Sequence, residues 1–179
     1  ISACLVGSEM CIRDRCMIYV FVDFEMNMID SEYKKEKKIC KSEIIEIGAV
    51  KVKDGEVVDT FSEFINPGVP IPYQIEQLTS INDDMVKDAP MFDVIVPRFV
   101  EFCGDDIVVA HNASFDTGFV RMNAEELGLK FDNTVLDTMT LSHILLPELG
   151  KFTLDRVCKE LKVVNAHHHR AIDLSLIHI

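Results

Sequence analysis

The sequence has few basic residues for its size and no long apolar run. Of its 179 residues, 18 are Lys or Arg and 30 are Asp or Glu, so the formal net charge is −12. Such a surface repels nucleic-acid phosphates at long range, so if this protein binds nucleic acid we expect a short site where metal cations supply the positive charge. No stretch of about 18 apolar residues occurs, which excludes a membrane-spanning helix. Hydrophobic residues make up 48%, enough for one buried globular core and too many for a disordered tail.

The cysteines do not have the spacing of a disulfide framework or of a metal site. The six cysteines are irregularly spaced, and no two of them form a Cys-x-x-Cys pair. This pattern excludes a disulfide-stapled scaffold and a tetrahedral sulfur site. We expect reduced thiols and a cytoplasmic location.

The two ends differ in character from the rest of the chain. Residues 1–16 show neither strand alternation nor a helical stripe, and they lack the charged start and apolar stretch of a signal peptide. They and the ending 174–179 resemble translated sequencing linkers; the alternative for 1–16 is an ordinary disordered leader. We therefore expect the natural domain to cover 17–173, with a last helix that begins near His169 and is cut short.

The order of the remaining segments predicts one α/β domain. Residues 17–24 have the pattern of a buried strand, and the runs 44–53 and 57–65 flank Asp54-Gly55, a strong hairpin signal. The charged stretch 29–41 is typical of a surface loop. We then predict strands over 106–110 and 133–137 and helices over 73–79, 82–87, 91–102, 114–127, 139–146 and 153–161, with Pro97 as a kink. A hairpin followed by alternating helices and strands predicts a three-layer α/β/α fold with a mixed central sheet.

Two carboxylates stand at the end of the first predicted strand. Asp23 and Glu25 are separated by Phe24, and residues i and i+2 of a strand project from the same face. A divalent cation between them would relieve their mutual repulsion. In an acidic protein, however, an Asp-x-Glu is also typical of a solvated strand end.

A second candidate follows the strand 106–110. Asp116 lies in the first turn of the next predicted helix, where the helix dipole alone also favours an acid. Asn112 or Ser114 is the predicted cap of that helix. Asp137, at the end of another strand, is a rival metal ligand.

The third candidate is the histidine-rich stretch near the carboxyl end. Here a histidine of the stretch 165–173 could accept a proton from water, and a carboxylate one turn later could hold an ion. A zinc site and a polar loop without a role are the alternatives. Three consecutive histidines, 167–169, cannot all face one metal from a helix, which argues against zinc.

The order of these three motifs resembles that of the DnaQ-like 3′–5′ exonucleases, the DEDDh group, which includes the proofreading exonuclease of bacterial DNA polymerase III. The resemblance covers about residues 17–173 and includes the runs 43–49, 77–81 and 135–138. It implies a ribonuclease H-like fold. It also implies hydrolysis of terminal phosphodiesters of DNA or RNA, releasing nucleoside monophosphates from single-stranded or frayed 3′ ends.

The resemblance assigns roles to matching positions. Asp23, Glu25 and Asp116 would hold two divalent ions, Mg²⁺ or Mn²⁺, and His169 would be the general base. The expected last carboxylate falls at position 174, where this chain has Leu174. Asp173 is its possible substitute, although a shift of one residue turns a helical position by about 100°.

Substrate contacts and partners are further expectations. Met26, Asn112 and Phe115 are candidates to contact the terminal nucleotide, with core packing as the alternative for the apolar ones. A DNA polymerase subunit is a possible partner, and no membrane is expected. Because Glu25-Met26-Asn27 departs from the Glu-Thr-Thr common in proofreaders, DNA and RNA both stay open as substrates. The alternative function is a catalytically impaired, exonuclease-like module that binds nucleic acid or protein.

Overall fold

A five-stranded mixed sheet is the centre of the molecule. The computed structural model describes residues 17–27, 43–163, 171–172 and 175. The sheet order is β3-β2-β1-β4-β5, which confirms the predicted α/β class with a mixed sheet. The strands are β1 (Ile18–Asn27), β2 (Glu43–Lys53), β3 (Glu56–Phe64), β4 (Ile107–Ala110) and β5 (Val135–Asp137). The first three strands form an antiparallel meander, while β4 runs parallel to both β1 and β5.

Within the described part of the chain, four α-helices lie between strands, and two further α-helices and one 3₁₀ turn follow the last strand. They are α1 (Tyr73–Thr79), α2 (Asp83–Val86), α3 (Phe92–Cys103), α4 (Ala113–Glu126), α5 (Thr138–Leu145), the 3₁₀ turn Pro147–Leu149 and α6 (Leu154–Leu161). All were predicted within a few residues except the 3₁₀ turn. The Asn82 side chain caps α2 by accepting from Met85 N at 3.1 Å. Pro97 lies inside α3 without ending it.

The β2–β3 connection follows the predicted turn chemistry. Asp54 has φ 54° and Gly55 has φ 83°, so both central residues adopt positive φ. That is the requirement of a two-residue type I′ hairpin turn, whose twist matches that of the flanking strands. The hairpin predicted from the Asp-Gly pair is confirmed, and the pairing of β2 with β3 shifts register between Lys51 and Val52.

The hydrophobic core lies between the sheet and helices α3 and α4. Phe99 of α3 packs edge-on against Phe24 at a ring-centroid distance of 5.7 Å and against Phe61 at 5.5 Å. Val20 and Val22 are buried in the same cluster, so alternate residues of β1 face this layer. The intervening residues, Asp23 and Glu25 among them, therefore face the other side of the sheet.

Residues near the carboxyl end cover that other side. Ala171, Ile172 and Ser175 are helical, and we refer to them as the C-terminal helical residues. The Ser175 hydroxyl donates to the Gly48 carbonyl at 2.8 Å. A Cβ on Gly48 would lie 2.1 Å from Ile172 N, so only glycine allows the two backbones to approach this closely. Helical structure thus packs on both faces of the sheet, as the three-layer prediction requires.

Other predictions are tested only in part. None of the helices in the described ranges is long and apolar enough to cross a membrane. Cys103 and Cys158 are buried free thiols. The predicted surface loop 29–41 and the ends 1–16 and 176–179 lie outside the described residues.

Candidate active site

The parallel strands bring the first two motifs to one edge of the sheet. Phe21 of β1 is paired with Val109 of β4, so Asp23 lies level with His111, just after β4 ends. Helix α4 begins two residues later and carries Asp116 in its first turn. The carboxyl ends of adjacent parallel strands are where α/β folds bind ligands. Spacing predicted this convergence but could not establish it.

The electrostatic environment of Asp23 shows that the acidic groups lie close together. Desolvation by burial raises the pKa of Asp23 well above its usual value. The negative charges of Asp116, Glu25 and Glu46 raise it further, in that order. Like charges have this effect only at short range, so the carboxylates of β1, β2 and α4 face a common region.

Asp116 is a buried carboxylate rather than a solvated helix-start residue. Its side chain is 7% exposed. Burial raises its pKa to about 7, and the charges of Asp137 and Glu25 add to the increase, while a hydrogen bond from its own backbone opposes it. The helix dipole favours the charged form of an acid at this position, whereas burial disfavours that form. The dipole therefore does not explain why the Asp116 carboxylate is buried.

The donor set fits a hard divalent cation. Asp23, Glu25 and Asp116 offer carboxylate oxygens, which Mg²⁺ and Mn²⁺ prefer. Burial first and neighbouring negative charges second raise the pKa values of Asp23 and Asp116. Within the described residues, no three acidic, histidine or cysteine side chains are already closed around one point as a metal site. The fit therefore rests on the chemistry and proximity of these acids.

Sequence reasoning missed Glu46. This residue is 1% exposed, is paired with Glu25 across the β1–β2 ladder, and acts electrostatically on Asp23. Its Oε2 accepts the Ala171 backbone N–H at 3.1 Å, so it ties the C-terminal helical residues to the acidic region. An acid inside the apolar run of β2 was the signal that could have identified it.

The predicted cap of α4 is wrong. Asn112 occupies the N-cap position, but its backbone is left-handed, with φ 63°, and its side chain makes no cap hydrogen bond. Ser114 lies inside the helix rather than before it. Instead, Asp137 Oδ1 accepts the Asn112 backbone N–H at 3.0 Å. We expected a side chain close in sequence to cap α4, whereas the side chain that holds the start of the helix belongs to Asp137 on another strand.

The remaining candidates occupy different environments. Met26 is 7% exposed and lies in the core cluster, whereas Phe115 is 41% exposed beside Asp116 and packs edge-on against Phe119. His169, Asp173 and Leu174 lie outside the described residues. Their predicted roles are therefore proposals.

Comparison with known proteins places this geometry in a family context. The model of the RNase T family, described as "Exonuclease", matches residues 20–173. The PolC-type DNA polymerase III of Clostridium perfringens (strain 13 / Type A) is 46% identical over 155 residues, which is 87% of this chain and 10% of that protein. The PolC-type DNA polymerase III of Bacillus cereus is 42% identical over 155 residues, with coverages of 86% and 10%. The chain thus spans about a tenth of the length of these curated relatives.

Solved structures agree with the fold. Exonuclease X in complex with 5′ overhanging duplex DNA is 28% identical, with a TM-score of 0.65 over 89% of each chain. The nuclease domain of 3′hExo, a DEDDh family member, bound to rAMP, has a TM-score of 0.74 over 92% of this chain and 88% of its own. At 17% identity, the second likeness supports the fold alone. Exonucleases of this kind generally depend on divalent metal ions.

Proposed function

Because the chain belongs to the exonuclease family and is a 3′–5′ exonuclease domain, we propose that it removes terminal nucleotides from DNA with two divalent ions, Mg²⁺ or Mn²⁺. The substrates are single-stranded or frayed 3′ ends, and the products are nucleoside monophosphates. The observation that carries the proposal is the convergence of Asp23, Glu25 and Asp116, acids from two separate elements: the charge of Glu25 contributes to the raised pKa values of both Asp23 and Asp116.

These acids supply the metal-binding surface. Asp23 and Glu25 project from one face of β1, and Asp116 faces them from the first turn of α4. When bound, divalent ions place positive charge at the scissile phosphate and favour ionisation of the attacking water. A bound cation would also stabilise the ionised carboxylates, because it would relieve the repulsion between their negative charges.

We assign the general base to His169, two residues before Ala171. The C-terminal helical residues are anchored to β2 by the Glu46–Ala171 bond, on the face of the sheet that carries Asp23 and Glu25. An imidazole near this face can take the proton of the attacking water at neutral pH. Position 174 holds Leu where the family pattern has a carboxylate, so Leu174→Asp is expected to raise the rate.

Substrate contacts follow from exposure beside the acids. Phe115 has 41% of its surface exposed next to Asp116, and base stacking on an aromatic ring tolerates any sequence. Asn112 lies at the turn before α4, close enough in sequence to share that surface. Met26 is packed in the core. It would therefore affect substrate binding only indirectly, by holding the strand that carries Glu25.

We propose that the domain proofreads for a replicative DNA polymerase. Its relatives are PolC-type polymerases roughly ten times longer than the matched region. A net charge of −12 gives the isolated chain little general affinity for nucleic acid. Tethering to a polymerase would supply that affinity as an effective concentration of the primer end.

The test uses a 5′-labelled DNA oligonucleotide with Mn²⁺ or with EDTA, and a duplicate with a blocked 3′ end. We expect a Mn²⁺-dependent ladder from the free 3′ end that Asp23→Asn and Asp116→Asn abolish. Asp88→Asn is the matched control, because it removes an exposed carboxylate far in sequence from the site. Cleavage that persists in EDTA, or that survives Asp23→Asn, would contradict the proposal.

Two further arms separate the alternatives. Faster removal of a mismatched than of a matched primer end supports proofreading, and an RNA oligonucleotide degraded in preference to DNA argues against it. Binding without any ladder, even after Leu174→Asp, would favour the catalytically impaired binding module.

A further inference from the structure

The carboxylate of Asp137 joins two helices at the edge of the sheet. It is the last residue of β5 and caps α5, with Oδ1 accepting from Met139 N at 2.9 Å and from Thr140 N at 3.5 Å. The same oxygen accepts the Asn112 N–H at 3.0 Å, and Oδ2 accepts from the Thr140 hydroxyl at 3.3 Å. One side chain therefore ties the start of α4 to the start of α5.

The bond to Asn112 holds a left-handed backbone conformation. Asn112 has φ 63° and ψ 45°. Asparagine adopts this region more readily than other residues except glycine, and a hydrogen bond to its N–H fixes the turn there. Asp137 supplies the acceptor for the N–H of this residue. Because Asp116 follows four positions later in the first turn of α4, the direction of its carboxylate depends on this turn.

Thr138 reinforces the same connection. Its hydroxyl lies 3.3 Å from the Ala110 carbonyl and 3.1 Å from His111 Nδ1. The other ring nitrogen of His111 donates to the Phe152 carbonyl at 2.7 Å. The three residues from Ala110 to Asn112 are thus each held by Asp137 or Thr138.

Both carboxylate oxygens of Asp137 are engaged. Oδ1 accepts three backbone N–H groups, and Oδ2 accepts the Thr140 hydroxyl. A carboxylate whose oxygens are used in this way acts on the site through its hydrogen bonds.

We propose that Asp137 is a positioning residue of the exonuclease site: it fixes the left-handed turn at Asn112 and thereby aims Asp116, and it does not ligate the ions. This inference rests on the proposed function, since it concerns the same acidic site. It replaces the earlier expectation of Asp137 as a rival ligand. The bonds to Asn112 and to the α5 backbone have different consequences, so they can be tested separately.

Three substitutions at Asp137 test separately its bond to Asn112, its cap of α5 and its negative charge. Asp137→Asn keeps an oxygen in the place of Oδ1 and removes the charge. Asp137→Ser keeps a good α5 cap, but its side chain is one atom shorter and loses Asn112. Asp137→Ala loses both. The matched control is Asn82→Ala, which removes a cap from α2 without touching the acidic site.

The measurements are Mn²⁺ affinity by calorimetry and kcat and KM on the DNA oligonucleotide, with circular dichroism to check folding. We expect Asp137→Ala and Asp137→Ser to lower Mn²⁺ affinity and kcat by roughly 10–100-fold, the usual effect of losing a group that orients a metal ligand. KM for the oligonucleotide should change little. Asp137→Asn should restore most of both quantities, and Asn82→Ala should leave them at the wild-type level.

The outcomes are distinct. If Asp137→Ser matches the wild type, Asp137 is only a helix cap and the inference is wrong. If Asp137→Asn is as impaired as Asp137→Ala, the charge itself matters and a ligand role replaces positioning. If the wild-type chain shows no nuclease activity but Asp137→Ser still weakens Mn²⁺ binding and Asp137→Asn does not, the positioning role holds and the proposed function fails.

Discussion

A methyl group added at Gly48 should separate the C-terminal helical residues from the sheet. The new Cβ of Gly48→Ala would lie 2.2 Å from the Ala171 carbonyl carbon and 2.1 Å from Ile172 N, both backbone atoms. Comfortable carbon contacts begin at about 3.5 Å, so the backbone must withdraw by about 1.3 Å, the difference between the two carbon distances. Such overpacking costs about 1–3 kcal/mol of stability.

The displacement should affect catalysis more than stability. It moves Ala171 and Ile172, which follow the proposed base His169 by two and three positions in the sequence, and a shift of about 1 Å in a reacting group can lower the rate roughly 100-fold. We therefore expect kcat for the Mn²⁺-dependent 3′ ladder to fall about 100-fold, with Mn²⁺ affinity at the acids of β1 and α4 retained.

The matched control is Gly118→Ala, which adds the same methyl group inside α4. Nothing lies within 4 Å of its Cβ position, so the substitution should stabilise the helix by about 0.5–1 kcal/mol and leave kcat unchanged. Circular dichroism and thermal melting report the fold, and single-turnover kinetics report the chemical step. A Gly48→Ala variant with wild-type kcat and melting temperature would refute the reasoning.

Three further outcomes are expected. Glu46→Ala should lower both the melting temperature and kcat, because the buried Ala171 N–H loses its acceptor at a cost of about 1–3 kcal/mol of stability. Glu46→Gln keeps an acceptor oxygen and should retain most of the melting temperature and of kcat. Equal losses in the two variants would disprove the hydrogen-bond account. In EDTA, the native protein binds a proton at Asp116 that the unfolded chain does not bind between about pH 4 and pH 7, so this contribution to stability should rise as the pH is lowered from 8 to 5. Melting curves of Asp116→Asn should lack that increment, and an equal slope in both proteins would contradict it. Mn²⁺ should raise the melting temperature, by an amount equivalent to about 2.7 kcal/mol at 100 times its Kd, and Asp23→Asn should remove most of that gain.

Local chemistry made much of the fold predictable. The apolar run of β1 predicted a buried strand, and Asp54-Gly55 predicted a hairpin because both residues tolerate positive φ. The pairing of Asp23 with Glu25 on one face followed from strand geometry. These features depend on neighbours in sequence, which a single sequence displays directly.

Contacts between distant segments were not predictable in the same way. Asn112 is a residue type that commonly caps helices, yet its backbone N–H donates to the side chain of Asp137, which lies on a strand 25 positions later. Glu46 sits in an apolar run that predicts only a strand, and its partner Ala171 is 125 positions away. In each case tertiary packing decided the outcome.

The hydrogen bond between Glu46 and Ala171 has a consequence for biosynthesis. Because 125 positions separate its two ends, it can form only after almost the whole domain has left the ribosome. Loop closure over such a span is slow, so the β-meander with Asp23, Glu25 and Glu46 would assemble before the C-terminal helical residues dock on it. In a nascent chain the carboxylates of the β-meander would thus come together early, and the complete exonuclease site would form last.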